Sequence, residues 1–232
     1  MKHTPLRALL LLAALACPAH AARAQDDGRL SREEQRRLSR WAERPGPVRN
    51  EELRRELLQM VKEDQAVRAP YMEGRTPTEA EVRAMRERDE ADTKRLSEIL
   101  DEHGFPGVKL VGLRATRAFI TMLVHSPSLA LQKRALPDVE RAARRREIPP
   151  DDFAMLADDV LTHEGKPQLY GTNFTFAGDK VALAPTRDAA RLDERRRRLG
   201  LPPVREYATM LAEMYKKTVD ESSLPPARPR RR

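Results

Sequence analysis

Residues 112–125, Gly-Leu-Arg-Ala-Thr-Arg-Ala-Phe119-Ile120-Thr121-Met122-Leu123-Val124-His125, hold the most apolar run of the chain beyond its first 24 residues. A helix that is apolar on every side has to be surrounded by other elements. The stretch therefore predicts a central buried helix, and its neighbours should carry apolar stripes to pack on it. They do. Leu53, Leu57, Met60 and Val61 recur at helical spacing over 50–67, and Val82, Met85, Leu96 and Ile99 do so over 78–103. Thr78 with Glu81 is a capping box that starts the longer of these two helices. Residues 127–147 form an amphipathic helix whose arginines, Arg144 to Arg146, suit a helix C-terminus, and a further helix over 151–161 has acids at its start. Ala69-Pro70, Gly104-Phe105-Pro106-Gly107 and Pro149-Pro150 separate the segments.

From residue 166 the texture changes. Phe174, Phe176 and Val181 flank Ala177-Gly178-Asp179, which reads as a small hairpin within 166–186. Helix returns over 188–199 and 203–218. The fold class is thus mainly α: a bundle of about six helices with one small β-hairpin, preceded by an N-terminal helical arm and followed by a disordered basic tail. The expected divisions are a leader over 1–24, a polar helical arm and linker over 25–48, the helical domain over 49–221, and an Arg/Pro-rich tail over 222–232. In the arm, Ser31 and Glu34 form a second capping box ahead of a polar helix over 31–43.

The leader decides location. Lys2 and Arg7 precede the apolar Ala8–Ala16 run, and Ala19-His20-Ala21 and Ala22-Arg23-Ala24 are small-x-small sites, the pattern of a secretory signal peptide cleaved before Gln25. The run is too short for a membrane span, which needs about 20 apolar residues. The protein is expected to be exported, periplasmic or secreted. Cys17 is the chain's single cysteine and falls within the leader. A lipid anchor at Cys17 is the lesser alternative, because Ala14 stands where a lipobox has Leu and Pro18 follows. An exported chain without disulfides has to rest on its packed core.

The formal charge of +8 overstates the basic character of the domain. Lys2, Arg7 and Arg23 leave with the leader, and Arg228, Arg230, Arg231 and Arg232 lie in the tail. The basicity is therefore terminal. Aromatic residues make up 4% of the chain, too few for a base-stacking surface, so nucleic acid is disfavoured as a partner. The tail suits weak contact with anionic surfaces.

Candidate functional residues are polar groups on apolar faces. Positions 89 and 92 continue the stripe between Met85 and Leu96, and both are aspartates; Asp64 continues the stripe of Leu57 and Val61. A buried carboxylate needs a partner, since burial of an unpaired one costs several kcal/mol (roughly). Two readings stand. One is a set of structural salt bridges to Arg68, Arg114 or Arg117. The other is a polar pocket in which Asp64, Asp89, Asp92 and His125, at the end of the apolar helix, bind a metal or act as acid and base. His-Glu-x-x-His, Walker and Gly-x-Ser-x-Gly signatures are absent. Gln168, Tyr170 and Thr172 alternate, so in a strand they would share one face able to hydrogen-bond a ligand or cap helix ends.

At these residues the chain resembles a bacterial, mostly helical domain family of unknown function marked by a Gln-Leu-Tyr-Gly-Thr-Gln segment. The resemblance runs from about Glu52 to Tyr207. It is carried by Glu63-Asp64-Gln65, by Asp89 with Thr93-x-x-Leu96-x-x-Ile99, by Gly104-Phe105-Pro106, and by Val111-Gly112 with His125. Glu164 to Thr172, Asp193-x-Arg195-Arg196, Gly200-Leu201-Pro202-Pro203 and Tyr207 complete it. It implies a helical fold and a functional face, and no reaction. The chain departs from the family pattern at Asn173 (usually Gln), Asp92 (usually Asn), Asp159 (an expected Arg) and Ser126-Pro127-Ser128, where an acid is common.

The candidate pocket comprises Asp64, Gln65, Asp89, Asp92, His125, Gln168, Tyr170, Thr172 and Arg195. The functional expectation is a non-catalytic module that binds a small ligand or a protein, with a small hydrolase built on the Asp/His cluster, metal-dependent or not, as the alternative. No cofactor is indicated by the sequence.

Overall fold

The computed structural model describes residues 47–72 and 75–226, with the side chains of 71 and 72 excepted. The expected leader, the 31–43 helix and the end of the tail lie outside these residues.

Helix α1 (Glu51–Ala66) is capped by the Asn50 side chain, which accepts from Leu53 N–H at 2.9 Å. A short α2 (Ala69–Met72) follows, then α3 (Glu79–His103), which begins with the expected Thr78–Glu81 capping box and stops at Gly104. A turn of helix, α4 (Val108–Val111), leads into α5 (Leu113–His125). Helices α6 (Leu129–Arg144) and α7 (Pro150–His163) complete the bundle. Every residue of α5 from Ala118 to His125 is buried, so the all-round apolar pattern does mark the central helix. Helices α1, α3, α4, α6 and α7 pack around it. The main core joins Leu53, Leu57, Leu96, Ile99, Phe119, Leu123, Val139, Ile148 and Leu156.

A second core lies beyond α7. Strand β1 (Phe174–Ala177) pairs antiparallel with β2 (Lys180–Leu183), as the hairpin reading expects. Helix α8 (Leu192–Arg198) and α9 (Val204–Met214) cover it, with Phe174, Val181, Leu192, Leu211 and Tyr215 in its centre.

Four expectations change. The helix expected over 203–218 ends at Met214, because Lys216 adopts a left-handed φ of 52° and Lys217 N–H returns to the Ala212 carbonyl at 2.8 Å. The β-branched pair Thr218–Val219 then forms β3, parallel to β2, so the hairpin becomes a three-stranded sheet. The helix expected over 188–199 starts with a separate 3₁₀ turn, Ala189–Arg191, after the left-handed Asp188. The ordered domain also runs past 221. Glu221–Ser223 form a 3₁₀ turn, Ser223 Oγ accepts from Leu183 N–H at 2.9 Å, and Leu224 is buried in the second core.

Among the described residues no helix is long and apolar enough to cross a membrane.

Candidate functional site

Asp64, Arg68, Asp89 and His125 meet where α1, α3 and α5 converge. The helical register carries them there. Asp64 lies one turn beyond the buried Met60 of α1, and Asp92 lies one turn before the buried Leu96 of α3. His125 is the last residue of α5, at the end of its buried run.

Asp64 is fully buried and its carboxylate is crowded with donors. Arg68 Nη1 sits 2.7 Å from Oδ1, Gln65 Nε2 donates to Oδ2 at 2.8 Å, and His125 Nδ1 lies 2.9 Å and 3.0 Å from the two oxygens. Burial pushes the Asp64 pKa up, but His125, Arg68 and Gln65 together hold it below the usual carboxylate range. An ionised carboxylate only accepts, so the shared proton is on Nδ1 of His125. Arg68 also donates to the Asp64 backbone carbonyl at 2.9 Å and reaches Asp89 Oδ1 with Nη2. Burial raises the Asp89 pKa, offset in part by Arg68.

Asp92 stands beside this group and not within it. Arg88, four residues earlier on α3, donates to it with Nε at 2.9 Å and with Nη2, and links it to Glu63 through Nη1. Burial raises the Asp92 pKa against the Arg88 interaction. Of the three arginines expected as partners, Arg68 takes that role, while Arg117 pairs with Asp152 at 2.9 Å. No ion pair of Arg114 with these acids is present among the described residues.

One atom of the cluster is left over. His125 is 2% exposed, and its Nε2 is buried with no hydrogen-bond partner among the described residues. It is the single such side-chain atom among them. A buried polar atom left unpaired costs about 1–3 kcal/mol, so its retention calls for a reason.

The remaining candidates form a second group. Gln168 is fully buried, but it is no part of a strand face: it makes an isolated bridge to Thr186. Its amide donates to the Asn173 and Ala184 carbonyls at 2.9 Å and 3.1 Å and accepts from Asn173 N–H at 2.8 Å. The Leu169–Thr172 segment wraps around Asp158 of α7. That carboxylate accepts from the N–H groups of Leu169, Tyr170 and Thr172 at 2.7, 2.9 and 3.0 Å, and from the Thr172 hydroxyl at 2.9 Å. Burial raises the Asp158 pKa and these donors counter it.

Two arginines of α8 brace the same segment from the other side. Arg195 donates to the Leu169 and Asp188 carbonyls at 2.8 Å and 3.0 Å, and Arg196 to the Tyr170 carbonyl at 2.6 Å while lying 4.9 Å from the Tyr207 ring centroid. The alternation of Gln168, Tyr170 and Thr172 thus serves a loop clamp. Tyr170 is half-buried against Phe153, ring centroids 5.9 Å apart.

A relay of hydrogen bonds runs from Ser126, the residue after His125, to the second group. Gln132 Nε2 donates to the Ser126 carbonyl at 3.2 Å and to Asp159 Oδ2 at 2.6 Å. Thr162 Oγ1 donates to the Asp159 carbonyl at 3.0 Å, and Asn173 Nδ2 donates to Thr162 Oγ1 at 3.0 Å. Burial, with the charge of Asp158, raises the Asp159 pKa to about 7 against the Gln132 hydrogen bond. The sequence reading did not single out Arg88, Gln132, Asp158 or Asp159 as site residues. Asp158-Asp159 carries a signal for burial, since both fall on a helix otherwise rich in Ala, Met, Leu and Val.

No three His, Cys, Asp or Glu side chains among the described residues are grouped as a metal ion would need. A cation at Asp64 would have to displace Arg68, Gln65 or His125 from oxygens they already occupy.

The fold and the site define a mainly helical domain with a small sheet and one buried carboxylate–imidazole–guanidinium cluster. A family of unknown function (DUF6624) matches over residues 51–220, and the chain belongs to that family. No curated protein and no solved structure matches the chain.

Proposed function

We propose that the protein is an exported bacterial binding module that takes a small polar ligand at the junction of α1, α3 and α5. The leader pattern of residues 1–24 and the family resemblance support the setting. The observation that carries the site is His125 Nε2. Among the described residues this nitrogen is the one buried side-chain atom without a hydrogen-bond partner, while Asp64, Arg68 and His125 Nδ1 pair with one another. The alternative, a small hydrolase, uses the same nitrogen as a general base with water as nucleophile. The ring held by Asp64 through Nδ1 favours it, since that contact fixes the tautomer a base needs.

The test is a thermal-shift screen of the protein against amines, polyols, carboxylates, phosphates and divalent cations, repeated on His125→Asn. Asparagine keeps a donor near the Nδ1 position and removes Nε2. A ligand at 100 times its Kd stabilises by about 2.7 kcal/mol, which for a domain of this size raises Tm by roughly 5–10 °C. A rise lost in His125→Asn supports the reading. Rises that are equal in both proteins put the ligand elsewhere and overturn it.

A further inference from the structure

A separate polar group ties the end of α5 to α6 and α7. We propose that Asp159, Gln132 and His163 form a proton-operated latch, closed on the last turn of α5 while Asp159 is protonated and slackened when it ionises. The latch stands whether or not a ligand binds beside Asp64.

Asp159 is poorly provided with donors. Its side chain is 3% exposed. It accepts at 2.6 Å from the neutral Gln132 amide, and among the described residues no guanidinium, ammonium or backbone N–H donates to it. The other buried aspartates are better served: Asp64 by Arg68, Asp92 by Arg88, Asp152 by Arg117 and Asp158 by three N–H groups. A buried carboxyl with one neutral donor holds its proton into the neutral range, in keeping with a pKa that burial and the charge of Asp158 raise to about 7.

The orientation of Gln132 follows from its surroundings. Its Nε2 lies 3.0, 3.4 and 3.2 Å from the carbonyls of Leu123, Val124 and Ser126, three groups that only accept. Gln132 thus caps the last turn of α5. Its Oε1 is turned to His163, 2.9 Å from Nδ1, so Nδ1 is the donor and carries a proton in either charge state of the ring. The same Nδ1 lies 3.6 Å from Asp159 Oδ2, one turn back on α7. Once ionised, Asp159 attracts that N–H away from Gln132, and the cap loses the tie that fixes its far side. Burial lowers the His163 pKa, so the second ring proton arrives in acid and leaves the Nδ1–H in place.

Few charged groups compete for this carboxyl. From α7, Asp158 and His163 act on it; from α6, Gln132 does, while Lys133 is turned to Glu164. On α5, His125 is turned to Asp64. In the segment after α7, the N–H groups of Leu169, Tyr170 and Thr172 go to Asp158, and the Asn173 amide goes to Thr162.

The experiment follows amide exchange of the full chain by mass spectrometry on either side of neutral pH, together with the Asp159 carboxyl ¹³C and His163 ring ¹⁵N signals. Protection at the end of α5, corrected for the intrinsic effect of pH, should fall by about tenfold or more from slightly acid to slightly alkaline solution in the parent protein, and stay level in Asp159→Asn. Asp159 should titrate near neutrality, and neutral His163 should carry its proton on Nδ1. Level protection in the parent protein, or an equal fall in Asp159→Asn, overturns the latch. So does an Asp159 that titrates in the ordinary carboxylate range, or a neutral His163 protonated on Nε2. These last two are read on the parent protein and decide the matter even if the variant fails to fold.

Discussion

His125→Asn separates the two duties of this histidine. Asparagine can place its Nδ2 close to where Nδ1 now sits, 2.9 Å from Asp64 Oδ1, so the buried carboxylate keeps its donor. Two ring atoms disappear, Cε1 and Nε2. Their lost packing in a fully buried position costs about 1–2 kcal/mol. Removing the unpaired nitrogen returns about 1–3 kcal/mol, and the asparagine Oδ1 that replaces Cδ2 brings in an unpaired acceptor of similar cost. The packing loss remains, and the variant should be about 1–2 kcal/mol less stable than the parent protein. His125→Ala loses the ring and the Asp64 contact together and should cost about 2–5 kcal/mol. Urea unfolding followed by far-UV circular dichroism at neutral pH measures both. If His125→Asn proves as damaging as His125→Ala, Nε2 has a structural partner and the assignment of this nitrogen to a ligand fails.

The other structural groups give sharper losses. Asp64→Ala leaves His125 Nδ1 without its acceptor and Arg68 with Asp89 as its one carboxylate in the cluster, and should cost about 3–5 kcal/mol in the same urea assay. Asp158→Ala strips the acceptor from three N–H groups and should speed amide exchange at Leu169, Tyr170 and Thr172 far more than elsewhere. At Gly171 the left-handed φ of 67° places a would-be Cβ 3.0 Å from Leu192 Cδ2, so Gly171→Ala should cost about 1–3 kcal/mol. Asp159 has its folded pKa raised to about 7, above the unfolded value, so its contribution favours the fold at low pH and is lost as pH rises towards 7. Asp159→Asn should therefore be more stable than the parent protein at pH 8, with the difference vanishing near pH 4. Asp152, also raised to about 7 by burial against Arg117, keeps its own share of the pH dependence.

Periodicity made the bundle readable because its inputs are local. The all-round apolar run of α5 demanded a shell of helices, and the stripes of α1 and α3 extended with so regular a step that Asp64 and Asp92 had to fall inside. Arg68 was readable as a partner for the same reason, four residues after Asp64. Alternation was a poorer guide. Gln168, Tyr170 and Thr172 alternate, but the chain there is shaped by a distant carboxylate, Asp158, and by Arg195 and Arg196 of α8. Strand β3 was hidden because its existence depends on Lys216 accepting a left-handed conformation that favours glycine. Pairing among acids and arginines was also hidden. Arg88 reaches Asp92 along its own helix, and nothing in spacing alone says that it, and not Arg114 or Arg117, takes that acid.

The proposed site rests on a contrast between two buried carboxylates. Asp158 and Asp64 are both fully buried, and each collects several donors. Around Asp158 the account closes: three N–H groups and a hydroxyl point in, and two arginines saturate the carbonyls of the same segment. The geometry of that segment is that of a clamp joining α7 to α8, its backbone N–H and C=O groups taken up by Asp158, Arg195 and Arg196. Around Asp64 the account does not close. Its partner His125 is an imidazole, which has two nitrogens, and holding one of them on a carboxylate leaves the other without a hydrogen-bond partner among the described residues. The Leu169–Thr172 segment therefore serves the fold, and the proposed site rests on the quieter histidine at the end of the central helix.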